Sequence, residues 1–307
     1  MRRSTPCLLL LILALLPCGA SAQTPQSPRP QQPEGNPPPP LFPKHRRGFY
    51  INNDNVEVID ATPQSPPLET DDPGVPDKGE YEINLLTEAD LGSDARNVNV
   101  LNVDANYGLL LKGWGHELPA QLKFELPIVA ASEGGNPYQV GVGNSALGVK
   151  LNFYNDDSRG LRVSVYPQIE FSTASGVEKG VADSGQTLVL PLLISHESKY
   201  ATLVGNAGIG MAIHDEGRDT TAHLSIGMGR ALYRKLAMMG EIYSSSATNF
   251  KDDRLVSANV GVIYGVRKSI WYARLGHSLF SDDGAHTFLA FGMKVLFDTE
   301  HKSGAQP

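Results

Sequence analysis

The chain has 307 residues, with 26 Lys and Arg against 33 Asp and Glu and a formal net charge of −7. This moderately acidic balance argues against a nucleic-acid partner, which would require a basic stripe. The two cysteines, Cys7 and Cys18, both lie within the first 22 residues. The rest of the chain can therefore form no disulfide, no thiolate metal site and no cysteine nucleophile.

The N-terminus carries an export signal. Met1-Arg2-Arg3 is a positive start, Leu8 to Leu16 is a short apolar run, and Ala20-Ser21-Ala22 is a small-residue cleavage site. Residues 1–22 thus read as a signal peptide cut after Ala22, with Gln23 as the mature start. The apolar run falls short of the roughly 20 residues a membrane helix needs. Pro17 immediately before Cys18 disfavours lipoprotein processing at that cysteine. Without Arg2 and Arg3 the mature chain carries 24 basic against 33 acidic groups, a net charge of −9.

Residues 23–78 read as a Pro-rich, disordered leader. Pro37 to Pro40 form a spacer, and a second stretch from Thr62 to Lys78 holds Pro66-Pro67, Asp71-Asp72-Pro73-Gly74 and Pro76. Proline at this density blocks helix and central strand, and turn formers dominate the remainder. Between them, Phe49-Tyr50-Ile51 and Val56 to Ile59 suit a short strand or a contact segment. The leader's low apolar content gives no strong drive for stable docking in a barrel lumen.

From Gly79 the texture changes to twelve segments of alternating polarity, separated by Gly, Asn, Asp and Ser. The first two are Glu80 to Glu88 and Val98 to Tyr107. His116 to Pro127 follows, where Leu118, Ala120, Leu122, Phe124 and Leu126 oppose Gln121, Lys123 and Glu125. Ala146 to Phe153 and Leu161 to Phe171 repeat the pattern. The remaining segments are Thr187 to Ser195, Ala201 to Met211, Thr221 to Gly229, Leu236 to Ser244, Leu255 to Tyr264, Ser269 to His277 and Thr287 to Phe297. Twelve is an even number, as closed outer-membrane barrels require.

A soluble sandwich or barrel also alternates, and two features decide against it. One face is continuously apolar while the other carries charge, as expected with lipid outside and water within. Connections also alternate in length. The odd-to-even loops, such as Ile128 to Asn144 and Ser172 to Gln186, are longer than the intervening turns, such as His196 to Tyr200 and Gly265 to Lys268. Aromatic residues near segment ends (Tyr107, Trp114, Tyr154, Tyr233, Tyr264, Trp271 and Phe297) suit an interfacial girdle. The expected fold is all-β, a transmembrane antiparallel up-and-down β-barrel over residues 79–298, followed by a polar tail at 299–307.

Several motifs carry a family resemblance. Leu68-Glu69-Thr70-Asp71-Asp72-Pro73-Gly74, Gly79-Glu80-Tyr81-Glu82-Ile83-Asn84 and Asp104-Ala105-Asn106-Tyr107-Gly108 occur in order. Phe124-Glu125-Leu126-Pro127, Gly143 to Lys150, Tyr166-Pro167-Gln168 and Gly240-Glu241-Ile242-Tyr243 follow. As a series spanning Leu68 to Phe297, they resemble a bacterial family of outer-membrane transporter-like β-barrels named for the meta-pathway of phenol degradation. The resemblance implies an outer-membrane location and a transport role, extending to small hydrophobic or aromatic compounds. One departure is the polar tail after the aromatic last segment, which the assembly machinery would have to accept.

Function in such a barrel rests on the lumen wall. Glu82, Asp104, Lys123, Glu125, Lys150, Arg162, Glu170, Glu241 and Arg274 fall on the inner face. Acidic and basic members on neighbouring strands suit bracing pairs, as Glu125 with Lys150, or Arg162 and Lys150 with Glu170. The eight histidines are scattered, and no Gly-x-Ser-x-Gly elbow, zinc helix or phosphate loop occurs. The expectation is a channel or transporter rather than an enzyme, without cofactor or metal. It would sit in the outer membrane of a Gram-negative-type bacterium among lipids and lipopolysaccharide, inserted by the barrel-assembly machinery and passing a small-molecule substrate. The alternatives are a structural or surface-interaction barrel without an open pore, and a membrane-embedded lipid hydrolase.

Overall fold

The computed structural model describes residues 45–46, 49–51, 56–92, 95–113, 116–213, 220–266 and 269–298. The signal peptide with its Ala22 site, the leader up to residue 44, Trp114 and the tail from residue 299 lie outside the described residues.

A small sheet comes first, made of β1 (His45–Arg46), β2 (Phe49–Ile51) and β3 (Glu57–Ile59). The barrel follows, beginning with β4 (Glu80–Leu91), β5 (Ala95–Gly113) and β6 (His116–Glu133). Next come β7 (Gln139–Val142), β8 (Ser145–Asp156), β9 (Leu161–Val165) and β10 (Gln168–Phe171). A short helix, α1 (Ala174–Glu178), leads to β11 (Gln186–Glu197), β12 (Thr202–Ile213) and β13 (Thr221–Tyr233). The last four strands are β14 (Leu236–Ala247), β15 (Leu255–Val266), β16 (Ser269–Ser281) and β17 (Thr287–Asp298).

These elements make twelve staves. β7 extends β8 past Gly143-Asn144, and β10 continues β9 past Tyr166-Pro167. Pro167 has no N–H to donate, so the fifth stave breaks there. Consecutive staves pair antiparallel, and β17 closes on β4 from Asp298↔Glu80 to Thr287↔Leu91. The barrel is therefore closed and antiparallel, with twelve strands. Closure removes the exposed edge that an open sheet would present.

Polarity is inverted relative to a water-soluble protein. In β13, Leu224 and Ile226 are 63% and 61% exposed while Ser225 between them is 6% exposed. Phe124, Leu147, Ile194, Val260, Leu275 and Phe291 continue the outward apolar belt. Inside lie Asn84, Asn102, Asp104, Asn106, Asn152 and Ser164, all buried. Successive strand side chains point to opposite faces, so one alternating pattern yields both surfaces. Among the described residues, no helix is long and apolar enough to cross a membrane.

The two rims differ. One has tight connections at 114–115, 157–160, 198–201, 234–235 and 267–268, whereas the other has longer ones at 134–138, 172–185, 214–220, 248–254 and 282–286. The first connection on the long-loop rim spans only 92–94, because β4 and β5 stay paired up to Leu91↔Arg96. On the short-turn rim the outward aromatics gather. Phe297, Tyr81 and Tyr107 are cross-strand neighbours, as are Tyr264 and Trp271.

Residues 56–78 depart from the expectation of a leader disordered to its end. They run into the barrel, where Ile59, Ala61 and Leu68 pack on Ala237, Met239, Ile263, Ile270 and Tyr272 of the inner wall. Pro63, Pro67 and Pro73 are fully buried as well. The apolar drive is thus concentrated in few residues and matched by an apolar patch on the wall. Proline also lowers the ordering cost, since its φ is fixed before docking.

Candidate functional site

The lumen is shaped as much by residues 59–78 as by the strands. The segment starts at the short-turn rim, where the Ile59 N–H donates to the Arg234 carbonyl at 2.8 Å. It returns there at Gly79, whose N–H donates to the Gly108 carbonyl at 3.0 Å. Wall glycines make room for it. A Cβ on Gly229 would overlap the Ala61 carbonyl oxygen, and one on Gly108 would overlap the carbonyls of Pro76 and Asp77.

At its deepest point the segment is held through its backbone. The Glu241 carboxylate accepts the N–H groups of Glu69 at 2.8 Å and Thr70 at 2.7 Å, and also Asn259 Nδ2 at 2.9 Å. Asn206 accepts the Asp71 N–H at 2.6 Å and donates to the Asp71 carbonyl at 2.8 Å. It thereby stands in for the partner strand that this stretch lacks. The Thr70 hydroxyl bonds Ser225 Oγ at 2.9 Å, and Asn152 Nδ2 donates to the Pro73 carbonyl at 3.0 Å. Buried backbone groups left unpaired would oppose docking, and here the wall satisfies them.

Ion pairs complete the attachment. Lys150 Nζ lies 2.9 Å from Asp71 Oδ1, donates to the Asp72 carbonyl at 2.8 Å, and stands 4.7 Å over the Tyr166 ring. Arg274 joins Glu69 to Glu88, reaching Glu88 Oε1 at 3.3 Å. Lys294 pairs with Glu82 at 2.8 Å and donates to Gln64 Oε1 at 2.7 Å. Burial raises the Asp72 carboxyl above its ordinary range against the pull of Lys150.

The nine inner-face positions are distributed as follows. Lys150, Glu241 and Arg274 hold the segment. Glu82 pairs with Lys294, and Asp104 accepts from Asn84 and Asn106. Lys123 and Glu125 pair with each other at 2.8 Å, and Asn102 donates to Glu125 at 2.6 Å. Arg162 approaches Asp157 at 3.7 Å and Glu197 at 3.9 Å near the short-turn rim. Glu170 lines a cavity toward the long-loop rim.

One expected bracing pair, Glu125 with Lys150, is out of register. Glu125 lies opposite Ala146, whereas Lys150 lies opposite Gln121, four residues further along β8. Lys150 reaches inward to Asp71 instead, so its partner comes from the docked segment rather than the wall. Asn206, Ser225, Asn152 and Lys294 were not among the candidates. Each nevertheless sits at an inner-face position fixed by alternation, so the pattern could have placed them but not supplied their partner.

Two cavities flank the segment. One of about 160 Å³ lies toward the short turns, lined by Glu82, Asp104, Lys150 and Lys294 among others. The other, of about 450 Å³, lies toward the long loops, with Glu69 and Asp71 from the segment and Gln168, Glu170, His223 and Tyr243 from the wall. Ser65, Asp71 and Lys123 border both cavities. Around the larger one, Glu69, Asp71, Glu125 and Glu170 outnumber Lys123. His223 is oriented there by Tyr243 Oη and Thr221 Oγ1, each at 2.9 Å.

No family model matches the chain, and no curated protein matches it in sequence. Solved structures match by shape. An outer membrane channel from Pseudomonas putida F1 superposes with a TM-score of 0.55 at 14% identity, covering 73% of this chain and 97% of that one. The NanC porin matches with a TM-score of 0.48 at 10% identity, covering 69% and 98%. A KdgM porin in complex with disordered oligogalacturonate gives 0.45 at 10%, covering 70% and 99%. At these identities the likeness establishes the fold alone: this chain folds as a closed, antiparallel, twelve-stranded β-barrel like that of the Pseudomonas putida channel.

Proposed function

We propose that the chain is an outer-membrane channel that passes small solutes through a lumen narrowed by its own residues 59–78. The observation that carries this is the inverted polarity, an apolar belt around a closed wall that encloses polar, cavity-bearing space. A water-soluble protein does not expose so large an apolar surface, whereas a bilayer requires it. Of the carboxylates around the larger cavity, Glu69, Asp71 and Glu125 are paired with Arg274, Lys150 and Lys123, and Glu170 adds the negative charge that would favour cations. Small hydrophobic or aromatic compounds, which the sequence resemblance implies as substrates, also fit its Val189, Pro191 and Leu193 wall.

The test is single-channel conductance of the refolded mature chain in a planar bilayer under a salt gradient. Stable steps with a cation-directed reversal potential, moved toward anions by Glu170→Lys, are the expected result. Insertion without steps would overturn the aqueous route. It would favour the second reading, a barrel without an open pore, to which the segment crossing the lumen lends weight. For the hydrolase alternative, Asp90 Oδ1 does meet His286 Nδ1 at 2.7 Å. Ser278 Oγ, however, accepts the His286 backbone N–H at 2.8 Å instead of facing the ring nitrogen as a nucleophile would.

A further inference from the structure

Across the inner face of β11, β12 and β13 one row of residues leaves a gap between two rings. Pro191 pairs with Gly208, and Gly208 pairs with His223. All three line the 450 Å³ cavity toward the long loops. Proline is unusual inside a sheet because it cannot donate to a ladder. Pro191 is tolerated because it stands opposite the break at Tyr166-Pro167, between the pairs Val189↔Gln168 and Leu192↔Val165.

The opposite wall of the gap is equally fixed. His223 bonds Thr221 Oγ1 through Nε2 and Tyr243 Oη through Nδ1, each at 2.9 Å. Both nitrogens are engaged, so what the ring offers a solute is its face. Gly210 allows this clamp, because a Cβ there would lie 2.7 Å from Thr221 Oγ1 and 3.4 Å from His223 Nε2. Gly208 keeps the floor of the gap low. A Cβ on it would stand 3.0 Å from Pro191 Cα and 3.2 Å from Pro191 Cβ, narrowing the gap from the proline side.

Strand spacing sets the width. Pro191 and His223 stand on backbones two spacings apart, about 9.5 Å. A flat group in contact with both needs two carbon contacts, about 7–8 Å between the flanking faces. The gap is therefore about one planar ring thick. Val189 and Leu193, the next inward residues on β11, extend its apolar flank. Charge selects further, because Glu170 adds negative charge to the same cavity. A ring bearing an ammonium group is favoured there, and one bearing a carboxylate is repelled.

We propose that the row Pro191, Gly208 and His223 is a slot that binds the ring of a small aromatic amine. The proposal rests on the channel reading above and deepens it, naming the solute class held in the larger cavity. Calorimetric titration of the refolded mature chain in detergent, with single-channel recording alongside, tests it with three probes. 2-Phenylethylamine has the ring and the charge, 2-cyclohexylethylamine has the charge without a planar ring, and phenylacetate has the ring with the opposite charge. The first should bind about ten-fold more tightly than either of the others. His223→Ala should weaken its binding about five-fold or more, and His223→Phe, which restores a ring face, should recover it. Gly208→Val, which fills the slot, should abolish binding, and the His223 variants carry the test even where a side chain at position 208 prevents folding. Equal binding of the two amines, or full binding by His223→Ala, would overturn the slot. Equal binding of phenylacetate would overturn the assignment to an amine. Conductance without phenylethylamine binding would overturn the slot and leave the channel reading standing, whereas binding without conductance would support the slot and overturn the channel.

Discussion

Single side chains decide how firmly residues 59–78 are seated. Glu241 accepts three donors, the N–H groups of Glu69 and Thr70 and Nδ2 of Asn259. Glu241→Ala strands them in the lumen at about 1–3 kcal/mol for each buried donor left unmet. Amide exchange at Thr70 should then accelerate by at least ten-fold while the β14 ladder stays protected. Unchanged exchange would mean that the ion pairs alone hold the segment. Asp72 adds a pH dependence. Its carboxyl is raised from the ordinary 3.8, first by burial, then by Asp71 and Asp60, with Lys150 and Lys294 opposing. A raised value means that the seated segment holds the proton more tightly than the free one. This contribution to seating is complete below 3.8 and is lost as pH rises through the raised value. Conductance should therefore increase as pH rises above the ordinary carboxylate range, and Asp72→Asn should remove that component.

At the scale of elements, the strands were legible and the docked segment was not. The period of two marked out the twelve staves, because a lipid-and-lumen barrel leaves no third environment, but not the bulges that shift it, as between Asn99 and Leu101, nor the pairing of residues 128–142, which read as a loop. Residues 56–78 carry no period, and their partners are scattered from β5 to β17, so no local pattern reports them. A trace does exist in β14 to β16. Leu236 to Met239, Val262-Ile263 and Ile270 to Tyr272 are consecutive apolar runs that break the alternation. Such runs mean that both faces are covered. On the channel reading lipid covers the outer face, and Ile59, Ala61 and Leu68 cover the inner one. The wall glycines belong to the same arrangement. Gly229→Val would place a branched side chain on the Ala61 carbonyl, leaving the β13 ladder intact but ejecting the segment. Limited proteolysis in detergent should then cut between residues 56 and 78 while the barrel core resists, and resistance of both would contradict the placement.

The barrel is a closed polarity boundary, and its stability depends on which side of that boundary a charge falls. Leu224 faces outward at 63% exposure, whereas its neighbour Ser225 faces the lumen. An arginine at position 224 would project into the hydrocarbon, at about 2–4 kcal/mol near the bilayer midplane and less toward the interfaces. In water the same substitution would replace an exposed apolar group by a solvated one and be close to neutral. Urea unfolding of Leu224→Arg in phospholipid vesicles therefore reads the environment of the belt directly. A loss of stability in that range supports the membrane assignment. An unchanged midpoint would place Leu224 in water and remove the inverted polarity on which the channel reading rests.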